Sequence, residues 1–188
     1  MYGFPIIVTP QNWYGSKNRI GLFDNQNGFF FEYDGQNIYA VQRKSVRFIG
    51  GLVSATNQSQ LINGVTVNSV GTRFTRELAP GDFIIIRGMS YQIGTIISDT
   101  LMTVNPEFRG PTGSNYVVTK TQDIRYAQST WNIDTCGYFG QYVNNPSGFV
   151  LDLTKMQMFY MDYTWYGAGA IRFGFKDNRG QVIYVHRI

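Results

Sequence analysis

The aspartates of this chain come closest to a residue pattern that does chemistry: Asp24, Asp34, Asp152, Asp162 and Asp177. Two carboxylates flanking one bond can divide the acid and nucleophile or base roles of glycoside hydrolysis. Asp24, Asp34 and Asp177 lie in turn sequences, where aspartate accepts hydrogen bonds from the backbone just ahead of it. Asp162 differs, because it stands inside an aromatic run between Met161 and Tyr163. It reads either as an acid of raised pKa facing Asp152, or as a carboxylate paired with Arg172 across a sheet or turned to a subunit interface. We adopt the second reading. His186 is the one histidine and Cys136 the one cysteine, so neither an internal disulfide nor a histidine-rich metal site is available. No G-x-S-x-G elbow, phosphate-binding loop or dinucleotide fingerprint occurs. No catalytic residue, cofactor or metal is therefore expected, and Cys136 reads as a buried or interface thiol.

The scaffold that must position these residues is aromatic and poorly charged. Of 188 residues, 43% are hydrophobic, 16% aromatic and 15% charged, against a usual charged share of about 25%. That excludes a disordered chain, and the composition excludes a coiled coil. The net charge is +4, from sixteen basic residues spread along the chain. The densest cluster, Arg43, Lys44 and Arg47, reads as a strand end. It is too short for the basic stripe of a nucleic-acid protein, so no nucleic-acid partner is expected. The first ten residues lack the basic region of a signal peptide. No stretch approaches the ~20 apolar residues of a membrane helix, and a lone free thiol fits synthesis in a reducing cytoplasm.

Periodicity predicts strands throughout. Residues 20–23, 29–33 and 38–41 form a meander, with turns at Asp24-Asn25-Gln26-Asn27-Gly28 and Asp34-Gly35. Residues 170–175 and 182–185 repeat that grammar around Asp177-Asn178-Arg179-Gly180. The two hairpins could be neighbours in one sheet or partners in a sandwich. Residues 157–166 predict a long strand whose face of Phe159, Met161, Tyr163 and Trp165 points into a core. Between these parts, short strands near 65–67, 83–87, 91–97, 101–104 and 116–119 recur about every ten residues, as in a small barrel or sandwich. The expected fold is all-β: an outer antiparallel β-sandwich with a small inserted β-barrel-like module. The boundaries are an extended N-terminal arm over 1–14, the sandwich over 15–49 and 122–188, and the inserted module over 50–121.

Aromatic density supports two readings. Trp13, Tyr14, Trp131, Trp165 and Tyr166 could stack on sugar rings, as in a carbohydrate-binding host-recognition (adhesin) module, with a glycan as partner. Alternatively, aromatics and arginines fill subunit interfaces. Eleven of the sixteen basic residues are arginine, which favours fixed contacts. The interface candidates are Trp13, Tyr14, Arg43, Arg47, Trp165 and Tyr166.

Three blocks of residues carry a family likeness. They are Arg19-Ile20-Gly21-Leu22-Phe23-Asp24-Asn25-Gln26-Asn27-Gly28 with the strand after it, Pro146-Ser147-Gly148-Phe149-Val150-Leu151-Asp152, and Asp162-Tyr163-Thr164-Trp165-Tyr166-Gly167 through Phe175. Together they resemble segments of β-rich structural proteins of tailed bacteriophages, notably cyanophage virion proteins. The stretch from Gly71 to Asp82 is similar to small β modules of such proteins. The resemblance implies a non-enzymatic role in the virion, in tail, baseplate, neck or capsid surface, after synthesis in the host cytoplasm. The partners expected are further copies of the chain and other virion proteins, with no membrane.

Overall fold

The computed structural model describes residues 2–3, 17–138, 144–163 and 169–188. It is all-β: fourteen strands among the described residues, with a four-residue helix at Phe74–Glu77 and a 3-10 turn at Gln128–Thr130 as the helical pieces. The chain divides into two compact units. One comprises Met1–Leu22, Phe29–Gln42 and Ile124–Ile188, and the other Phe23–Gly28 and Arg43–Asp123. Two strands, β4 (Ile38–Phe48) and β11 (Val118–Ala127), contribute residues to both. The sequence puts the inserted module at 50–121. The structure places its limits inside these two strands and adds the 23–28 turn.

The first unit is a sandwich. One sheet holds β2 (Asn18–Phe23), β3 (Gly28–Tyr33), β4 and β11 in the order β11-β4-β3-β2. The other holds β1 (Tyr2–Gly3), β12 (Met158–Tyr163), β13 (Ile171–Lys176) and β14 (Val182–Arg187), all antiparallel neighbours in the order β1-β12-β13-β14. Apart from Tyr2–Gly3, the predicted arm, with Trp13 and Tyr14, lies outside the described residues.

Period-2 alternation sends Phe31 of β3, Phe159 of β12, and Phe173 and Phe175 of β13 into the space between the sheets. The Phe31 ring lies 5.0–5.2 Å from those three rings and 6.2 Å from Trp131, at tilted or edge-on angles. Such pairs add about 0.5–1.5 kcal/mol each beyond the area they bury. The two similar hairpins are thus partners across a sandwich. On β12, Phe159 and Met161 join the core as the alternation predicts. Tyr160, on the opposite face, is buried as well, and Trp165 lies outside the described residues.

Aspartates shape the turns. Asp24 Oδ1 accepts the backbone N–H groups of Gln26 and Asn27 at 2.7 and 2.8 Å. Asp34 does the same for Gln36 and Asn37, and Asp177 for Arg179 and Gln181.

The second unit has the order β10-β5-β6-β9-β8-β7-β11-β4. Its strands are β5 (Leu52–Ala55), β6 (Leu61–Val65), β7 (Phe83–Ile86), β8 (Met89–Ser98), β9 (Leu101–Asn105) and β10 (Gly113–Tyr116). Only Val117 separates β10 from β11. Yet β10 is the first strand in this order and β11 the seventh. One residue spans at most about 3.6 Å, so the sheet must coil until its ends nearly meet, giving a barrel-like form around Ile62, Phe74, Ile84, Ile86, Tyr91 and Met102.

Two local features depart from the strand pattern. Phe74–Glu77 form a short helical plug that no periodicity announced: Phe74 is fully buried and its N–H donates to the Asp99 carbonyl at 3.2 Å. The expected strand at 65–67 ends at Val65, and Val67 bridges only to Val70. The β7–β8 turn uses Arg87 at φ +52° and Gly88 at φ +79°, the two left-handed positions of a type I′ hairpin.

Truncating the central ring tests the sandwich. Phe31→Ala should cost about 3–5 kcal/mol, read as a lower denaturant midpoint at unchanged slope.

Candidate interaction surface

β4 changes character along its length. Its first residues alternate into the core, whereas Val46, Arg47 and Phe48 at its end are exposed. Ile49 N–H donates to the Val118 carbonyl at 3.2 Å, which sets the end of β4 beside the start of β11. Ile49 and Val118 point inward, at 6% and 1% exposure. Their chain neighbours therefore face out. Phe48 is 71% exposed, Val46 60% and Val117 53%. Phe48 and Val117 thus flank one hydrogen bond, and Val46 lies two residues before Phe48 on the same face of β4, with the exposed Arg47 between them in sequence. A cluster of this kind marks a contact surface more often than scattered single residues do.

Arg43 does not belong to that surface. It is 7% exposed, and its Nε and Nη2 donate to the two Asp123 carboxylate oxygens at 2.7 and 2.9 Å. Its Nη1 donates to the Asp24 carbonyl at 2.9 Å, and its guanidinium lies 5.6 Å from the Phe23 ring centre. The interface assignment of Arg43 is corrected for this reason: its donors are committed inside its own unit, holding β4, β11 and the 23–28 turn together. Arg47 is exposed, as an interface residue must be. Trp13, Tyr14, Trp165 and Tyr166 lie outside the described residues.

The aspartates and their neighbours are committed locally. Asp162 pairs with Arg172 directly across β12 and β13, and Tyr184 Oη–H donates to the same carboxylate at 3.1 Å. The Arg172 guanidinium sits 4.2 Å over the Tyr184 ring. Asp152 accepts from Thr154 and binds Lys155 at 3.0 Å. The Thr154 bonds first and Lys155 second hold its carboxyl down to about 2. An Asp152 in this setting is ionised at neutral pH and is no general acid. Asp152 and Lys155 line a groove of about 500 Å³ with Phe149, Met156, Met158 and Lys176.

Cys136 is fully buried, and burial, followed by the Asp134 charge, pushes its thiol far up. A thiol so placed is a poor nucleophile. Trp131, one of the sugar-platform candidates, is instead 3% exposed, with Nε1–H donating to the Tyr126 carbonyl; it is a core residue.

Sequence reasoning missed Val46, Phe48 and Val117. The available signal was the continued alternation after Val41, which the basic residues Arg43, Lys44 and Arg47 obscured. It also passed over Glu32, which is 1% exposed on β3 and meets Arg19 and Arg125 at 2.7 Å and Lys17 at 4.0 Å. Burial pushes the Glu32 carboxyl up, and the Arg125 and Arg19 guanidiniums outweigh it, leaving it below its ordinary value. No group of three or more metal-ligating side chains occurs among the described residues, and no helix among them is long and apolar enough to cross a membrane.

Two outcomes follow from these ion pairs. Arg43→Ala removes the two-pronged ion pair with the largely enclosed Asp123 carboxylate, and should destabilise by about 3 kcal/mol, measured by urea unfolding at pH 7. Glu32, with its lowered folded pKa, stabilises fully above its unfolded value, and that stabilisation is lost as pH falls through the folded pKa. The stability difference between the native chain and Glu32→Gln should therefore be constant near neutrality and shrink below about pH 4.5, as read by denaturant titration at a series of pH values. No protein family, curated protein or solved structure matches the chain.

Proposed function

We propose that this chain is a non-enzymatic structural protein of a tailed-phage virion that assembles as a homo-oligomer beside other virion proteins. The exposed apolar end of β4 carries the reading. Phe48 and Val46 stand out from a strand whose other aliphatic side chains, Ile38 and Val41, are buried, and water is a poor environment for them. A second copy of the chain covers them, with Phe48 as the aromatic anchor and Arg47 as the adjacent polar contact. Aromatics and arginine are the residue types enriched at such contacts. A specific interface of this kind removes about 1,600 Å² from water. Further support comes from the aspartates Asp152 and Asp162, both held by local donors as turn and cross-strand supports. It comes also from the likeness of the 19–35, 146–155 and 162–175 segments to virion proteins. The net charge of +4 favours acidic neighbours in the assembled particle.

Light scattering on the purified full chain tests this. The expected mass is a defined multiple of 21.4 kDa. Phe48→Glu should return the chain to a folded monomer with an unchanged far-UV circular dichroism spectrum, because within one chain the side chain it replaces is exposed. A native chain that stays at the monomer mass throughout a concentration series overturns the assembly reading.

A further inference from the structure

β14 ends the strand order of its sheet, so its outer edge is one that native proteins must cover. Here the cover is residues 132–134. The N–H groups of Ile133 and Asp134 both donate to the Val185 carbonyl at 3.1 Å. The Asn132 side-chain amide accepts the Arg187 N–H through Oδ1 at 2.8 Å and donates through Nδ2 to the Arg187 carbonyl at 2.8 Å. That amide stands where the peptide group of a neighbouring strand would be.

The third attachment is a side chain of the strand itself. Asn132 N–H donates to His186 Nδ1 at 3.3 Å. His186 is 4% exposed, stacked 4.5 Å from the Tyr126 ring and 6.4 Å from Phe173. Its Nε2 is buried with no hydrogen-bond partner. An imidazole that accepts at Nδ1 is neutral and carries its proton on Nε2. Protonation places an N–H on Nδ1, directed at the Asn132 N–H, and leaves a cation between apolar rings.

The groups around it offer no compensating charge. From β11 the titratable neighbour is Tyr126, and from β13 the facing side chain is Phe173. In the covering segment Asn132 is neutral, and the Asp134 carboxylate is occupied by the Cys136 and Ser147 N–H groups at 2.7 and 3.0 Å. Arg187, next along β14, is itself a cation. Burial alone lowers the His186 pKa below its ordinary value.

We propose that His186 is an acid-operated latch: neutral, it holds residues 132–134 against the edge of β14, and protonated, it releases them and opens that edge. The latch is independent of the assembly reading, since it concerns one chain. The sign is set by linkage. Released, His186 titrates near its ordinary value of about 6.5; latched, it titrates lower. Release thus takes up one proton between the two values, and the opening equilibrium rises about tenfold per pH unit as pH falls below 6.5.

Amide hydrogen exchange on the full chain, corrected for the intrinsic pH dependence of exchange, reads this directly. Protection at Asn132, Ile133, Asp134 and Arg187 should fall about tenfold per unit below pH 6.5, and should lie well below that of Phe31 and Phe175 at every pH, because core exchange requires global unfolding. In His186→Gln the amide oxygen can accept from Asn132 without titrating, so protection there should be independent of pH. Asn132→Ala removes the side-chain bonds, and Ile133 and Asp134 should then start less protected yet keep the same slope. Flat protection in the native chain, an equal slope in His186→Gln, or protection at residues 132–134 equal to that of the core residues would each overturn the latch.

Discussion

The two-pronged contact between Arg43 and Asp123 is the interaction on which the second unit most depends. β4 and β11 are the strands through which the chain enters and leaves that unit, and this pair joins them side by side at 7% and 12% exposure. Arginine suits the place because its planar fork meets both carboxylate oxygens at once and retains a donor for the Asp24 carbonyl. The turn that Asp24 opens is held further by Ser45 Oγ–H donating to the Gln26 carbonyl and Thr121 Oγ1–H to the Asn25 carbonyl. The pair orders three segments, so its loss would be felt well beyond one ion pair.

The same economy of charge runs through the first unit. With few charged residues, most of those in the interior or across a sheet have a structural task. Glu32 gathers Arg19 and Arg125, Asp162 gathers Arg172 and Tyr184, and Asp134 closes the loop around Cys136. A carboxylate held by several donors is fixed in place, which serves rigidity. The end of β4 contrasts with these sites: there Val46 and Phe48 lie exposed.

Strand edges show the complementary problem. An all-β chain presents unpaired backbone groups at each sheet end. At β14 the answer is a single amide side chain that imitates a peptide group, backed by a buried imidazole. In the second unit it is curvature, since the one-residue link at Val117 draws β10 round toward β11. These devices cost no additional strand, and each rests on the placement of one residue.

The sequence alone determined the all-β class and the hairpins. Alternation of large and small residues and the Asp-Gly and Asn-Gly turns are local signals, and local sterics decide them. The pairing of Asp162 with Arg172 was also legible, because residues flanking one hairpin connection meet across adjacent strands. Tertiary structure alone decided which polar groups are free. Arg43 and Arg47 look alike in sequence, four residues apart on one strand, yet one is sealed against Asp123, eighty residues on, and the other is in water. The same holds for Trp131, buried rather than offered to a ligand, and for His186, whose partner Asn132 lies 54 residues away. Burial and long-range partners are set by how sheets pack and coil, and no window of neighbouring residues contains that information.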